Sequence, residues 1–195
     1  MNDAGIALQQ YRDLVVRYHT TLDLMSDRGV ADLDRFIAEG RRFAALVERL
    51  AGPTATVVDV GSGAGLPGIV IAACLPGSLV HLVERRRRRV AFLELAAAAL
   101  GLANARVFGE DVRTMTGVTA DVVTAQAVTG LAELAGLASS VMTDATWLLT
   151  RRGEGWRADA EGITAGAEVV EEPLEHRGSL VALKLLGGAA CRSSA

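Results

Sequence analysis

Between Val57 and Gly68 the chain reads Val-Val-Asp-Val-Gly-Ser-Gly-Ala-Gly-Leu-Pro-Gly, and this segment constrains the fold more than any other. The β-branched run over 56–60 predicts a strand, and the apolar stretch over 67–75 predicts a helix. Glycines at 61, 63 and 65 between them allow a sharp turn whose backbone approaches a ligand with no Cβ in the way. Strand, glycine turn and helix in that order open a doubly wound α/β sheet, whose ligands bind beyond the carboxyl ends of the strands.

The remaining pattern continues the alternation. Strands are predicted over 79–84, 105–108, 121–125 and 146–150, with helices over 85–100 and near 131–142. A closing antiparallel pair over 168–172 and 180–184 is separated by Pro173 and Gly178. The fold class is therefore a mostly parallel, seven-stranded α/β sheet covered on both faces. Residues 1–50 show helical spacing, broken at Ser26-Asp27-Arg28-Gly29, and predict a two-helix N-terminal cap. The expected organisation is a cap over 1–50, an α/β domain over 51–186 and a frayed tail over 187–195.

Composition removes other classes. The chain has 195 residues, half of them apolar and 22% charged, which suits one globular domain and excludes a disordered or collagen-like chain. A net charge of −3 disfavours a generally basic, nucleic-acid-coating protein, although 19 of the 20 basic residues are arginine and the only lysine is Lys184. Two cysteines, Cys74 and Cys191, make neither a disulfide framework nor a metal cluster, so no metal is expected. There is no apolar run of about 18 residues and no basic-then-apolar leader after Met1. A cytoplasmic protein without a membrane partner is the expectation.

Glu84 ends the second predicted strand, where a carboxylate can accept the two ribose hydroxyls of an adenosine. Gly63-x-Gly65-x-x-Gly68 also satisfies the dinucleotide fingerprint, so the glycines alone leave the cofactor open between S-adenosylmethionine and NAD(P). Asp59, just before the glycines, suits the amino group of methionine and would repel a pyrophosphate. No Tyr-x-x-x-Lys is present for hydride chemistry. S-adenosylmethionine, leaving as S-adenosylhomocysteine, is the expected cofactor and methyl transfer the expected reaction.

Asp59-Val-Gly-Ser-Gly-Ala-Gly-Leu-Pro-Gly68, the acidic residue at 84 and Arg89-Val-Ala-Phe-Leu93 together resemble the bacterial 16S rRNA guanine-N7 methyltransferase family, GidB or RsmG. The Gly-Leu-Pro-Gly extension is much narrower than the general methyltransferase motif. The resemblance runs along nearly the whole chain and implies a class I methyltransferase fold. It also implies a cofactor pocket lined by Gly61, Gly63, Gly65 and Glu84, with Glu110, Asp111 and Val112 near the adenine. Ser62 and Leu66 belong to the same loop, and Arg85 lies beside the ribose position.

The acceptor half departs from the family. Where the family carries Trp-Asn and Asn-Leu-Thr, this chain has Tyr18-His19 and Asp23-Leu24-Met25. Its His and Asp-Ser segment is replaced by Phe36-Ile37-Ala38-Glu39-Gly40. Ser-Arg-Ala after the fourth strand becomes Ala125-Gln126-Ala127, and Lys-Gly after the fifth becomes Arg151-Arg152-Gly153. Gln126 keeps hydrogen bonding but loses the charge that would hold a phosphate, and Asp23 and Glu39 add negative charge on the same proposed side.

These departures point to a diverged member that N-methylates a small heteroaromatic or amine-bearing metabolite, with Gln126 orienting the acceptor. If the acceptor bears an N–H or O–H, the candidate bases are His19, Asp23 and Glu39. The alternatives are guanine N7 of 16S rRNA, which needs no base, and a cofactor-binding protein without turnover. A metabolite enzyme predicts a closed pocket with no positive mouth, and an rRNA enzyme an open positive one. The run Arg85 to Arg89 reads first as a solvated helix face and second as a phosphate stripe. His81 reads as packed or edge-exposed and Trp147 as core, whereas His176 is a candidate for the pocket rim and Trp156 for stacking on a flat substrate.

Overall fold

The computed structural model describes residues 3–126, 130–160, 163–164 and 166–185. One sheet holds β1 (Thr56–Val60), β2 (Leu79–Val83), β3 (Ala105–Phe108), β4 (Val122–Ala125), β5 (Trp147–Arg152), β6 (Ala167–Pro173) and β7 (Ser179–Leu185). Their spatial order is β3-β2-β1-β4-β5-β7-β6. The first five pair in parallel, while β7 runs antiparallel to both β5 and β6. This is the doubly wound sheet and closing hairpin that the sequence predicts.

The helices are α1 (Asp3–Tyr18), α2 (Asp27–Ala31), α3 (Leu33–Ala51), α4 (Gly68–Cys74), α5 (Arg87–Ala99), α6 (Leu131–Leu137) and α7 (Trp156–Asp159). The cap has three helices where two are predicted. Ser26 starts α2 by accepting the Gly29 N–H at 3.2 Å, and a non-helical Asp32 separates α2 from α3. α5 begins at Arg87 rather than 85 because the Glu84 carboxylate takes the Arg85 and Arg86 amides at 2.8 and 2.9 Å, holding that stretch out of the helix. The helix predicted near 131–142 stops at Leu137 and continues as a single 3-10 turn, Ser139–Val141. The tail over 187–195, with Cys191, lies outside the described residues.

Central parallel strands are buried on both faces, so their side chains feed two cores alternately. Val57, Leu82, Val122 and Leu149 pack under α1, α3, α4 and α5. Val58, Val83, Val123 and Leu148 face α6 and the short turns. α3 buries the stripe Leu33, Ile37, Gly40, Phe43 and Val47 at helical spacing, and that stripe meets α4. Gly40 permits the approach, since a Cβ there would stand 2.9 Å from Val70. The cap thus shares its core with the sheet. Among the described residues no helix is long and apolar enough to cross a membrane.

Candidate cofactor and acceptor site

The carboxyl ends of the parallel strands open into a cleft of about 660 Å³, within the roughly 300–1,000 Å³ typical of small-molecule sites. Strand order puts the loops after β1, β2 and β3 at one end, and those after β4 and β5 at the other.

The glycine loop is pinned to the neighbouring strand: the Gly61 and Ser62 amides donate to the Val83 carbonyl at 2.9 and 3.0 Å. Gly61 and Gly63 have φ of 72° and 57°, a region that L side chains rarely adopt. Gly61, Ser62, Gly63 and Leu66 line the cleft. So do Glu84, Arg85, Glu110, Asp111 and Val112. Glu84 accepts the Gly63 amide at 3.1 Å as well as those of residues 85 and 86, so one carboxylate fixes the loop and faces the cleft. Three of its roughly four acceptor positions are already used, which narrows the expected double contact with ribose hydroxyls. Asp111 takes the Arg113 guanidinium at 2.8 and 3.0 Å and the Arg113 amide at 3.0 Å, which holds its carboxyl well below the usual carboxylate range. A loop of open glycine backbone beside two fixed carboxylates fits a cofactor bearing amino, hydroxyl and adenine donors.

Two loop residues act differently from expectation. Asp59 is fully buried and does not line the cleft. Its carboxylate accepts the Thr124 hydroxyl at 2.9 Å and the Gly68 amide at 3.2 Å, so it braces α4 against β4 instead of touching a ligand directly. Burial pushes its carboxyl up to about 6, against the hydrogen bonds from Ser62, Thr124 and Gly68. Gly65, at φ 98°, also lies outside the lining, and a Cβ there would stand 2.6 Å from Ile69. It serves helix packing.

The buried Asp59 has a consequence for stability. Its folded value lies above the unfolded value of 3.8, so its contribution is complete at low pH and is lost as pH rises through about 6. The full loss is on the order of 3 kcal/mol. Half-buried His81, lowered mainly by desolvation, acts in the opposite sense in the same window. The expected result is that Asp59→Asn flattens the fall in melting temperature between pH 4.5 and 7 relative to the parent. Equal slopes would refute this reading of Asp59.

Of the proposed acceptor residues, Gln126 lines the cleft at the end of β4. Its neighbour Ala127 lies outside the described residues. The other three do not line the cleft. His19 turns to the Val16 carbonyl at 2.8 Å, with Thr20 and Asp27 at 3.0 and 3.2 Å on its other nitrogen. Asp23 is exposed, and its carbonyl and carboxylate face Arg89 at 2.9 and 3.8 Å. Glu39 is buried and lies 3.2 Å from both Arg35 and Arg151. Both carboxylates are engaged by arginines, and neither lines the cleft. Trp156 is buried with Nε1 donating to Glu171 at 3.1 Å, and it borders a separate hollow beyond β5. His176 contributes only its carbonyl, to Arg151. Trp147 is buried in the core, and His81 is half-buried on β2.

Several contributors are not foreseen in the sequence. Tyr11, in the first cap helix, is fully buried and donates to the Ala64 carbonyl at 2.8 Å, tying the cap to the glycine loop. Leu24, Met25 and Phe36 wall the cleft. Arg86, Arg89, Arg113 and Arg151 line it too. The arginine run carried a signal, but which members turn inward depends on where α5 begins.

The family model described as GidB, rRNA small subunit methyltransferase G, matches residues 6–176. The chain belongs to the GidB family. A GidB relative, the ribosomal RNA small subunit methyltransferase G of Thermobifida fusca (strain YX), is 37% identical over 166 residues, 84% of this chain and 68% of that protein. Its counterpart in Wolinella succinogenes is 28% identical over 160 residues, 80% of this chain and 81% of the other. A mutant of MtNAS solved in complex with S-adenosylmethionine shares the fold, at 18% identity and a TM-score of 0.65 over 94% of this chain and 76% of that one. This GidB chain is an S-adenosylmethionine-dependent methyltransferase of class I fold.

Proposed function

We propose that this GidB protein transfers the methyl group of S-adenosylmethionine to a guanine N7 of small-subunit rRNA. The observation that carries the reading is the charge at the cleft: Arg85, Arg86, Arg89, Arg113 and Arg151 line it, against Glu84, Glu110 and Asp111. The metabolite reading rests first on the neutral Gln126 and then on negative charge from Asp23 and Glu39, and those two carboxylates are paired with arginines. With both paired, the names of the relatives favour RNA over a small acceptor. Arg87 and Arg88 are exposed at the start of α5, next to the cleft, and suit phosphates.

The cofactor supplies an already activated methyl group on a sulfonium. The chain then needs to hold the acceptor nitrogen in line behind that carbon and to exclude water. N7 carries no proton, so the absence of a base among His19, Asp23 and Glu39 costs nothing. Gln126 is the group that orients the base, with Phe36, Leu24 and Met25 as the apolar wall.

The test is transfer of labelled methyl to small ribosomal subunits lacking the modification, alongside a panel of heteroaromatic amines. Recovery of 7-methylguanosine from digested rRNA is expected. Label in a small amine with none in the subunits would overturn the proposal.

A further inference from the structure

We infer that Arg151 is the cation that grips a phosphate of the acceptor nucleotide, and that Glu39 is the positioning residue that aims it. This rests on the rRNA reading and deepens it. Gln126 follows the last residue of β4 and Arg151 is the penultimate residue of β5, each one position beyond the Ala125–Thr150 pair, on neighbouring strands whose usual spacing is about 4.8 Å. Both line the cleft. The charge absent from position 126 is therefore present on the adjacent strand.

Arg151 is held on two sides. Its Nη2 donates to the His176 and Arg177 carbonyls at 3.2 and 3.0 Å, and its Nε stands 3.2 Å from Glu39 Oε2. Among the described residues Nη1 has no partner, and the buried Nε and Glu39 Oε2 lack an aligned hydrogen bond despite their proximity. The Nε edge is thus taken up by Glu39, which leaves Nη1 as the edge of the guanidinium open to an incoming acceptor. Glu39 also accepts Arg35 at 3.2 Å, and Arg35 in turn pairs with Asp32 at 2.9 Å, so Arg35 is balanced within the cap and the charge that faces the cleft is the guanidinium of Arg151.

A phosphate fits this charge better than the base does. Methyl transfer makes the purine cationic, and a guanidinium on its edge would oppose that charge, whereas one on the phosphate would not. The neutral amide of Gln126 suits the base edge. The two neighbours thus divide the acceptor between them.

The experiment measures methyl transfer to small subunits as a function of salt, with S-adenosylmethionine affinity determined separately by calorimetry. Arg151→Gln is expected to raise KM for subunits about 10- to 100-fold, to lower the salt slope by about one, and to leave cofactor affinity unchanged. Glu39→Gln separates aiming from charge. It removes a negative charge, so a purely electrostatic role predicts a lower KM, whereas positioning predicts a higher one. Should Arg151→Gln destabilise the β6–β7 turn, Glu39→Gln still decides, because it leaves both carbonyl anchors intact. A parent-like KM and salt slope in Arg151→Gln, or a lowered KM in Glu39→Gln, would overturn the inference while leaving the rRNA reading standing. Failure of the parent to methylate subunits would overturn both.

Discussion

Gly63→Arg is expected to abolish S-adenosylmethionine binding in a chain that still folds. The backbone there, at φ 57°, can carry a side chain at a cost of about 1–2 kcal/mol. A Cβ would meet nothing closer than the Gly61 carbonyl oxygen at 3.7 Å and Arg89 Nη1 at 3.8 Å. The arginine that follows enters a cleft already lined by Arg89, filling its volume and repelling that guanidinium. Calorimetry should register a loss of more than about 100-fold in affinity, equivalent to about 2.7 kcal/mol. Circular dichroism should report a fall in melting temperature of only a few degrees. Parent-like affinity would remove the glycine loop from the cofactor site.

Gly68→Val should instead damage the fold. Gly68 opens α4, and a Cβ there would stand 2.6 Å from Asp59 Oδ2 and press against the Leu82 side chain. Both neighbours are fully buried in the central strands, so neither can retreat. The Gly68 amide also donates to Asp59, and moving the helix to relieve the clash would leave a buried carboxylate short of a partner. Overpacking typically costs about 1–3 kcal/mol, and with neither neighbour able to retreat the upper end is expected, roughly 10 °C in melting temperature for a chain of this size. Gly136→Ala is the control, because Gly136 is helical and exposed and its added Cβ meets nothing within 4 Å. That variant should match or exceed the parent. If Gly68→Val melts with the control, the account of loop packing fails.

These two glycines differ in how legible they were. Both sit in one motif, and the motif alone indicates a turn near a ligand. Which glycine meets ligand and which meets helix depends on how α4 settles over Asp59 and Leu82. Asp59 illustrates the same limit. Its place before the glycines suggests a ligand contact, yet Thr124 from β4 and the first amide of α4 consume its carboxylate.

What the sequence determined by itself was local. Alternation of β-branched and apolar segments set the strands, their number and the doubly wound class. The glycine loop, with Glu84 one strand later, set the cofactor end of the cleft. Backbone conformation and strand-end placement follow from neighbours in the chain, so they can be read from it.

The acceptor end was decided by tertiary structure. Tyr11 reaches Ala64 from the first helix, Arg89 takes Asp23, and Glu39 meets Arg151 across most of the domain. Read singly, Asp23 and Glu39 were negative charges turned against RNA. Paired with arginines from distant elements, they no longer stand as free negative charges beside the cleft. Charge in a sequence adds without regard to position, whereas the field at a site depends on which opposite charges the fold brings within a few ångströms. Only the packing of α3 against the sheet, and the register of β4 with β5, reveals where the missing cation of position 126 is supplied.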